Sequence, residues 1–163
     1  MDTEKDVCSI CFENFSLCAT LPCSHKFCLL CIKTHKLRNA NAQCPHCRAA
    51  ITDDFFDTLT RDLDYLFQGK PPHYHWAYRS RNNANEWWLF DEQSHQKIET
   101  SYQEASCHSF PISLLGEMYT IDIRQGVQIS HDGLRMRQIK KVFVDDSVWS
   151  SGVVGVAGMK HLK

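Results

Sequence analysis

Apolar residues recur with two different periods along this chain, and the change of period divides it. In ITDDFFDTLTRDLDYLF, residues 51–67, Phe55, Leu59, Leu63 and Leu66 fall at three- and four-residue steps, with Thr52 to Asp54 as a cap, which predicts one short helix. QGKPP at 68–72 breaks it, because two prolines after a glycine cannot continue a helix. From Tyr74 the pattern becomes short alternating runs bounded by turn residues. HYHWAYRSRN and NEWWLFDEQ read as two strands joined by an Asn-rich turn, SHQKIETSYQEA as a helix with Ile98 and Tyr102 four apart, and EMYTIDI, VQIS and LRMRQIKKVFV as further strands. No internal repeat is evident. The pattern predicts an α+β chain: a small domain over residues 1–51, a linker helix and proline-containing linker over 52–72, and a mostly antiparallel sheet with one helix over 73–163.

One hairpin has side-chain consequences. If Asp132-Gly133 is a two-residue turn, His131 faces Leu134, Ser130 pairs with Arg135, Ile129 with Met136, and Gln128 with Arg137. Alternation then places Gln128, Ser130, Arg135 and Arg137 on one face and Val127, Ile129 and Met136 on the other. Such a polar face is either the solvent side of a half-buried sheet or a binding surface, and the pattern leaves both open.

Before residue 51 the informative positions are cysteines. Eight of the nine lie in the first 47 residues. In order, the donors are Cys8-x-x-Cys11, Cys23-x-His25, Cys28-x-x-Cys31 and Cys44-x-x-Cys47. Eight donors fill two closed tetrahedral zinc sites and leave no open coordination position for a substrate, so these metals build and do not catalyse. Cys18, His35 and His46 are left over. A side chain between two ligands of one knuckle points away from the metal, which makes His46 a surface residue and His25 the ligand. Cys107 reads as a small buried hydrophobe.

Composition narrows the rest. At 163 residues, with 43% hydrophobic and 23% charged content, the chain has room for one medium soluble domain or two small ones, and two small ones need at least one staple. A net charge of -1 excludes broad nucleic-acid binding, so any anion site is local. The acidic start MDTEKDVCSI lacks a signal-peptide core and no run reaches membrane-span length, which predicts no membrane association and a place in the cytosol or nucleus. A catalytic metalloenzyme or hydrolase is discounted, since both metal sites are filled and no nucleophile–base pair stands out.

The order and identity of these ligands over residues 8–51 resemble the RING finger, the zinc domain of most ubiquitin ligases. The resemblance implies interleaved sites: Cys8, Cys11, Cys28 and Cys31 on the first zinc, and Cys23, His25, Cys44 and Cys47 on the second. It also implies a groove for a ubiquitin-charged conjugating enzyme formed by Ile10, Pro45 and Arg48. The resemblance makes Arg48 the linchpin that would fix the ubiquitin thioester for attack, without covalent catalysis by this chain. His35 stands near a position where relatives carry an apolar groove residue.

The segments W-A-Y, NEWWLFDE, YTIDI, VQIS, RMRQIKK and GVAG resemble the WWE domain over residues 73–158, with its signature at Trp87, Trp88 and Glu92. That family folds as an antiparallel half-barrel with one helix, and its best-studied branch binds the iso-ADP-ribose unit of poly(ADP-ribose). The resemblance assigns the ligand pocket to Tyr78, Trp88, Tyr119, Gln128 and Arg137, and leaves Trp76 and Trp87 to the core. The family's lysine before GVAG is Val154 here, a lost contact worth about 1.5 to 3 kcal/mol, with Lys160 or Arg135 as compensating cations.

A RING followed by a WWE domain resembles the Iduna type of poly(ADP-ribose)-directed ubiquitin ligase, whereas Deltex ligases place WWE domains ahead of a different RING. The likeness implies allosteric activation by the ligand, partly through Lys33, with Leu37 where that family has a tryptophan. The chain ends without the family's long tail, which would leave recognition to the polymer. Two alternatives stand beside this reading: a ligase whose WWE domain binds a protein partner, and a non-catalytic poly(ADP-ribose) reader or adaptor.

Overall fold

The structure, a computed structural model, describes residues 7–15, 17–57, 72–105, 107–157 and 159–160. The chain divides into two compact units, Met1–Leu59 and Thr60–Lys163.

In the first unit, β1 (Cys18–Thr20) pairs antiparallel with β2 (Lys26–Cys28), which runs directly into helix α1 (Leu29–Arg38). The last turn of α1 carries Lys36 and Arg38, cations suited to the negative end of the helix dipole. A small core of Leu21, Phe27, Leu29 and Ile32 lies beneath, joined by Ile51 and Phe55. The chain beyond the last knuckle returns to α1, where Lys36 donates to the Ile51 carbonyl at 3.1 Å. A 3-10 turn over Asp53–Asp57 occupies the start of the stretch read as a linker helix. The remaining positions of that helix, Leu59, Leu63 and Leu66, lie outside the described residues.

The second unit is built on one eight-stranded sheet. Its strands are β3 (Tyr74–Arg79), β4 (Trp87–Leu89), β5 (Ser109–Leu114), β6 (Glu117–Asp122), β7 (Val127–Ser130), β8 (Met136–Phe143), β9 (Val153–Val156) and β10 (Met159–Lys160). They lie in the order β10-β9-β4-β3-β8-β7-β6-β5. All neighbours are antiparallel except β4 and β9, whose parallel pairing shifts register between Trp87 and Trp88. The Asn-rich turn is realised by Asn83, whose side chain accepts the Asn85 N–H at 3.0 Å. Strand β5 was not anticipated from the sequence. Pro111 interrupts its run, yet β5 is an edge strand where a missing N–H costs little, and Phe110, Ile112 and Leu114 alternate into the core.

Helix α2 (Glu92–Glu104) begins where Asp91 accepts the Ser94 N–H at 3.0 Å, and ends at Ala105 in the left-handed conformation. Its fully buried Ile98 and the Glu99 carboxylate anchor it to the sheet. Glu99 accepts from the Tyr74 hydroxyl, from Trp76 Nε1 at 2.8 Å and from Gln103, and pairs with Lys141 at 3.6 Å. Burial pushes its carboxyl upward, but these donors and Lys141 outweigh burial and hold it at about 2. The His75 ring is buried, stacks on His95 of α2 at 3.9 Å, and places Nδ1 against the Trp76 carbonyl at 2.9 Å. Burial, then His95, pushes its pKa down to about 3.

Both groups make this unit acid-sensitive in the same direction. His75 binds its proton less readily folded than unfolded, so stability falls as pH drops below its unfolded value of 6.5. The Glu99 contribution is complete above the ordinary carboxylate value of 4.5 and is lost as pH falls toward 2. All four tryptophans lie in this unit, so their fluorescence isolates it. We expect the urea midpoint read this way to fall between about pH 7.5 and about pH 5, where His75 and His95 govern the change. An unchanged midpoint contradicts the neutral, buried state of His75.

Candidate functional site

In the first unit the donor atoms of Cys8, Cys11, Cys28 and Cys31 form one cluster, and those of Cys23, His25, Cys44 and Cys47 another. Within each cluster all donors lie within 4.8 Å of one another. A zinc ion with bonds of about 2.3 Å to sulfur and about 2.0 Å to nitrogen requires tetrahedral ligand separations of roughly 3.8 Å and roughly 3.5 Å. Cys11 Sγ and Cys28 Sγ are 3.9 Å apart, and Cys44 Sγ and His25 Nδ1 are 3.6 Å apart. The donor sets therefore fit two structural zinc ions in the interleaved arrangement.

The metal scaffold brings two distant loops together. Ser9 Oγ and His46 Nε2 are 2.9 Å apart, which sets the knuckle carrying Ile10 beside the one carrying Pro45 and Arg48. Pro45 and Arg48 are exposed and Ile10 is half-buried. Arg48 adopts a positive φ of 63° and donates its N–H to the Cys44 carbonyl at 2.9 Å, so it belongs to the knuckle itself. His46 is exposed but not isolated, since its ring stacks on the ligand His25 at 5.0 Å. The exposed ring of Phe12, 79% accessible, also belongs to the first knuckle and was not singled out from sequence. His35 is held on α1 by the Gln43 carbonyl at 2.9 Å. Lys33 is half-buried on the same helix and Leu37 is exposed.

In the second unit the β7–β8 register pairs Gln128 with Arg137 and Ile129 with Met136, as the hairpin argument required. The turn itself differs. Gly133 N–H bonds to the Ser130 carbonyl at 2.8 Å, so the bend spans Ser130 to Gly133, stabilised by Asp132, which accepts the Leu134 N–H at 3.0 Å. The larger loop keeps the same register because Ser130 N–H still reaches the Arg135 carbonyl at 2.8 Å.

Burial settles which face looks inward. Pairing puts Tyr78 on the side of Trp88, Ile139, Arg137, Gln128, Ser130 and Tyr119. Gln128 and Ser130 are buried there along with Tyr78, Ile121 and Ile139, whereas Met136 on the opposite face is 66% exposed. The polar face is thus not the solvent side of the sheet. The Arg137 guanidinium lies 5.5 Å over the Tyr78 ring, a cation–π contact that fixes its position. Gln128 is 1% exposed, and its Oε1 is the one buried side-chain polar atom among the described residues without a hydrogen-bond partner. An orphaned acceptor of this kind costs about 1 to 3 kcal/mol.

Tyr119 is tied to a residue that sequence reasoning missed. Its hydroxyl donates to Glu117 at 2.8 Å, and Arg135 reaches the same carboxylate oxygen at 3.2 Å. Those two donors hold Glu117 below the ordinary carboxylate range. Burial, and then Glu117, raises the Tyr119 hydroxyl. The signal lay in the alternation, since Glu117 stands two residues before Tyr119 on one strand. Arg135, expected from the sequence to compensate for Val154, thus shares its charge with Glu117, and Val154 is half-buried on β9. Trp76 and Trp87 are buried. Cys107 is exposed, not buried, with its thiol 3.1 Å from the Ser109 carbonyl, because it precedes edge strand β5 and has no sheet over it.

Residues 4–53 match the C3HC4-type RING finger family, and residues 74–141 match the WWE domain family. The chain thus combines a RING finger with a WWE domain. Its relatives include E3 ubiquitin-protein ligase RNF146-A of Bos taurus, 30% identical over 153 residues, covering 91% of this chain and 42% of that protein. The rnf146 ligase of Xenopus tropicalis is 30% identical, with 91% and 46% covered, and the RNF146 ligase of Homo sapiens 29% identical, with 91% and 40% covered. The chain thus spans less than half the length of these relatives. No helix among the described residues is long and apolar enough to cross a membrane.

The RING of this chain should carry two zinc ions. Metal analysis is expected to give a zinc-to-protein ratio of about two for the wild type and for Cys107→Ser, and about one or less for Cys47→Ser, whose thiolate is one of four donors. Full zinc content in Cys47→Ser contradicts the second cluster.

Proposed function

We propose that this chain is a RING-type ubiquitin ligase that finds proteins modified with poly(ADP-ribose) through its WWE domain. The observation that carries the recognition half is the buried, unpartnered Gln128 Oε1 on the face where Gln128 pairs with Arg137, whose guanidinium lies over Tyr78. A nucleotide-like ligand supplies what this face lacks: ribose hydroxyls to donate to the amide, phosphate to meet the guanidinium, and an adenine to lie against Tyr78, Trp88 or Tyr119. Nothing in that arrangement performs bond chemistry. Its task is capture, and the three relatives, each an E3 ubiquitin-protein ligase, support the catalytic half.

Transfer itself needs no nucleophile from this chain. Ile10 and Pro45 offer apolar contact to a conjugating enzyme beside the exposed Arg48, whose five donors suit bridging of enzyme and ubiquitin. Holding the thioester in a single reactive conformation accelerates attack by an acceptor lysine through lost disorder alone. The polymer acts as an allosteric effector if it binds the competent RING conformation better than the inactive one, with Lys33 as the RING residue assigned to that coupling. Cytosolic and nuclear locations both suit a reader of this modification.

Two sets of substitutions separate the halves. Gln128→Leu and Arg137→Ala are expected to weaken iso-ADP-ribose binding by at least about ten-fold by calorimetry, with zinc content unchanged. Arg48→Ala is expected to abolish ubiquitin transfer and leave ligand affinity intact. Unchanged affinity in Arg137→Ala overturns the pocket and favours a WWE domain that contacts a protein. Transfer that persists in Arg48→Ala removes the linchpin.

A further inference from the structure

Cys18 belongs to neither donor cluster, yet β1 carries it to the edge of the first. It stands opposite Cys28 in the β1–β2 ladder, and the side chains of directly opposed residues share one face of a sheet. The next pair along, Ala19 with Phe27, is buried in the core on the other face. Cys18 and Cys28 therefore project together on the side where Cys28 Sγ lies 3.9 Å from Cys11 Sγ and 3.8 Å from the Asn14 carbonyl oxygen.

Backbone hydrogen bonds fix how near the two come. Leu29 N–H donates to the Leu17 carbonyl at 2.8 Å, and Leu21 N–H to the His25 carbonyl at 2.9 Å, so residue 17 with 29 and residue 21 with 25 are hydrogen-bonded pairs. Bonded and non-bonded pairs alternate along an antiparallel ladder, which makes Cys18 with Cys28 a non-bonded pair. Such pairs hold their Cα atoms about 4.5 Å apart and bring their side chains closest. A disulfide spans Cα separations of about 4.4 to 6.8 Å, so these two sulfurs can be joined with the strands where they stand. Exposure separates their roles. Cys28 is 3% exposed and Cys18 is half-buried, so a small oxidant arriving from solvent meets Cys18 first.

We propose that Cys18 is a redox-modification site through which a hydroperoxide opens the first zinc cluster. The Cys18 thiol gives its proton to solvent and its sulfur attacks one peroxide oxygen. The O–O bond breaks, hydroxide leaves, and Cys18 becomes a sulfenic acid. The Cys28 thiolate then attacks the Cys18 sulfur, so that the electron pair it had given to a metal forms the S–S bond and a second hydroxide departs. Two sulfurs lose two electrons between them, and the peroxide ends as two hydroxides that solvent protonates to water. Three donors remain in the first cluster, one short of a closed tetrahedral site, and the knuckle carrying Ile10 loses its anchor. A dithiol reductant reverses the bond by exchange.

The test uses the zinc-loaded full chain carrying Cys107→Ser, which removes the exposed thiol of the second unit, with hydrogen peroxide as the probe. Released zinc is followed with a chromogenic chelator, and the disulfide by peptide mass mapping after alkylation. Peroxide is expected to release about one zinc ion per chain and to yield a peptide linked through Cys18 and Cys28, with both changes reversed by dithiothreitol and added zinc. Cys18→Ser and Cys18→Ala are each expected to start with about two zinc ions and to release zinc at least about ten-fold more slowly at the same peroxide concentration. Release as fast in both variants as in their parent overturns the site. So does a parent chain that keeps its zinc under peroxide, or one whose disulfide maps to any other pair, results that depend on neither variant.

Discussion

Eight donor atoms from four separate stretches of chain have to converge on two points before the first unit has a fold. Because the clusters interleave, neither closes locally: Cys8 and Cys11 wait for Cys28 and Cys31, with two ligands of the other site lying between them. The apolar interior left for this unit is slight, a few side chains around Phe27 and Ile32, so metal binding is the larger share of its folding free energy. The same constraint shapes the surface. Ile10 and Arg48 become neighbours through a bond between Ser9 and His46, and that bond exists because their knuckles are each drawn to a metal.

The second unit obeys a different constraint. Pleating sends alternate residues to opposite faces, so the register of three strands decides which side chains meet. Tyr78, Arg137 and Gln128 come from β3, β8 and β7 and converge through that register alone. Burying an amide with an unpaired oxygen opposes stability. It is tolerated because the surrounding sheet is anchored elsewhere, by Glu99 against Tyr74, Trp76 and Lys141, and by apolar burial at Ile98 and Ile121. Stability at the helix end of the face thus supports an unsatisfied site nearer the strand ends.

Much of this was legible in the sequence where spacing and chemistry coincide. Donors at Cys-x-x-Cys intervals announce zinc, and an Asp-Gly turn gave the pairing of Gln128 with Arg137 even though the bend proved larger. What escaped had physical causes. Strand β5 was hidden by Pro111, which an edge strand tolerates. The parallel partner of β4 lies more than sixty residues away, at a distance alternation does not reach. Met136 and Gln128 exchanged places relative to ordinary expectation, the apolar residue outside and the amide inside, since periodicity identifies faces and does not say which is covered. Glu117 stood within the alternation, two residues before Tyr119, but its bond to Arg135 links positions far apart in the chain, and a local pattern does not carry that pairing.

Joining these halves is the central claim: a domain that captures an ADP-ribose polymer governs a domain that positions ubiquitin. It is tested most directly by autoubiquitination of the zinc-loaded full chain with a promiscuous conjugating enzyme, at fixed protein concentration, with and without poly(ADP-ribose). The account predicts strong stimulation by the polymer, measured as the initial rate of ubiquitin transfer. Equal rates with and without polymer would contradict the coupling, and no transfer in either condition would contradict the ligase itself.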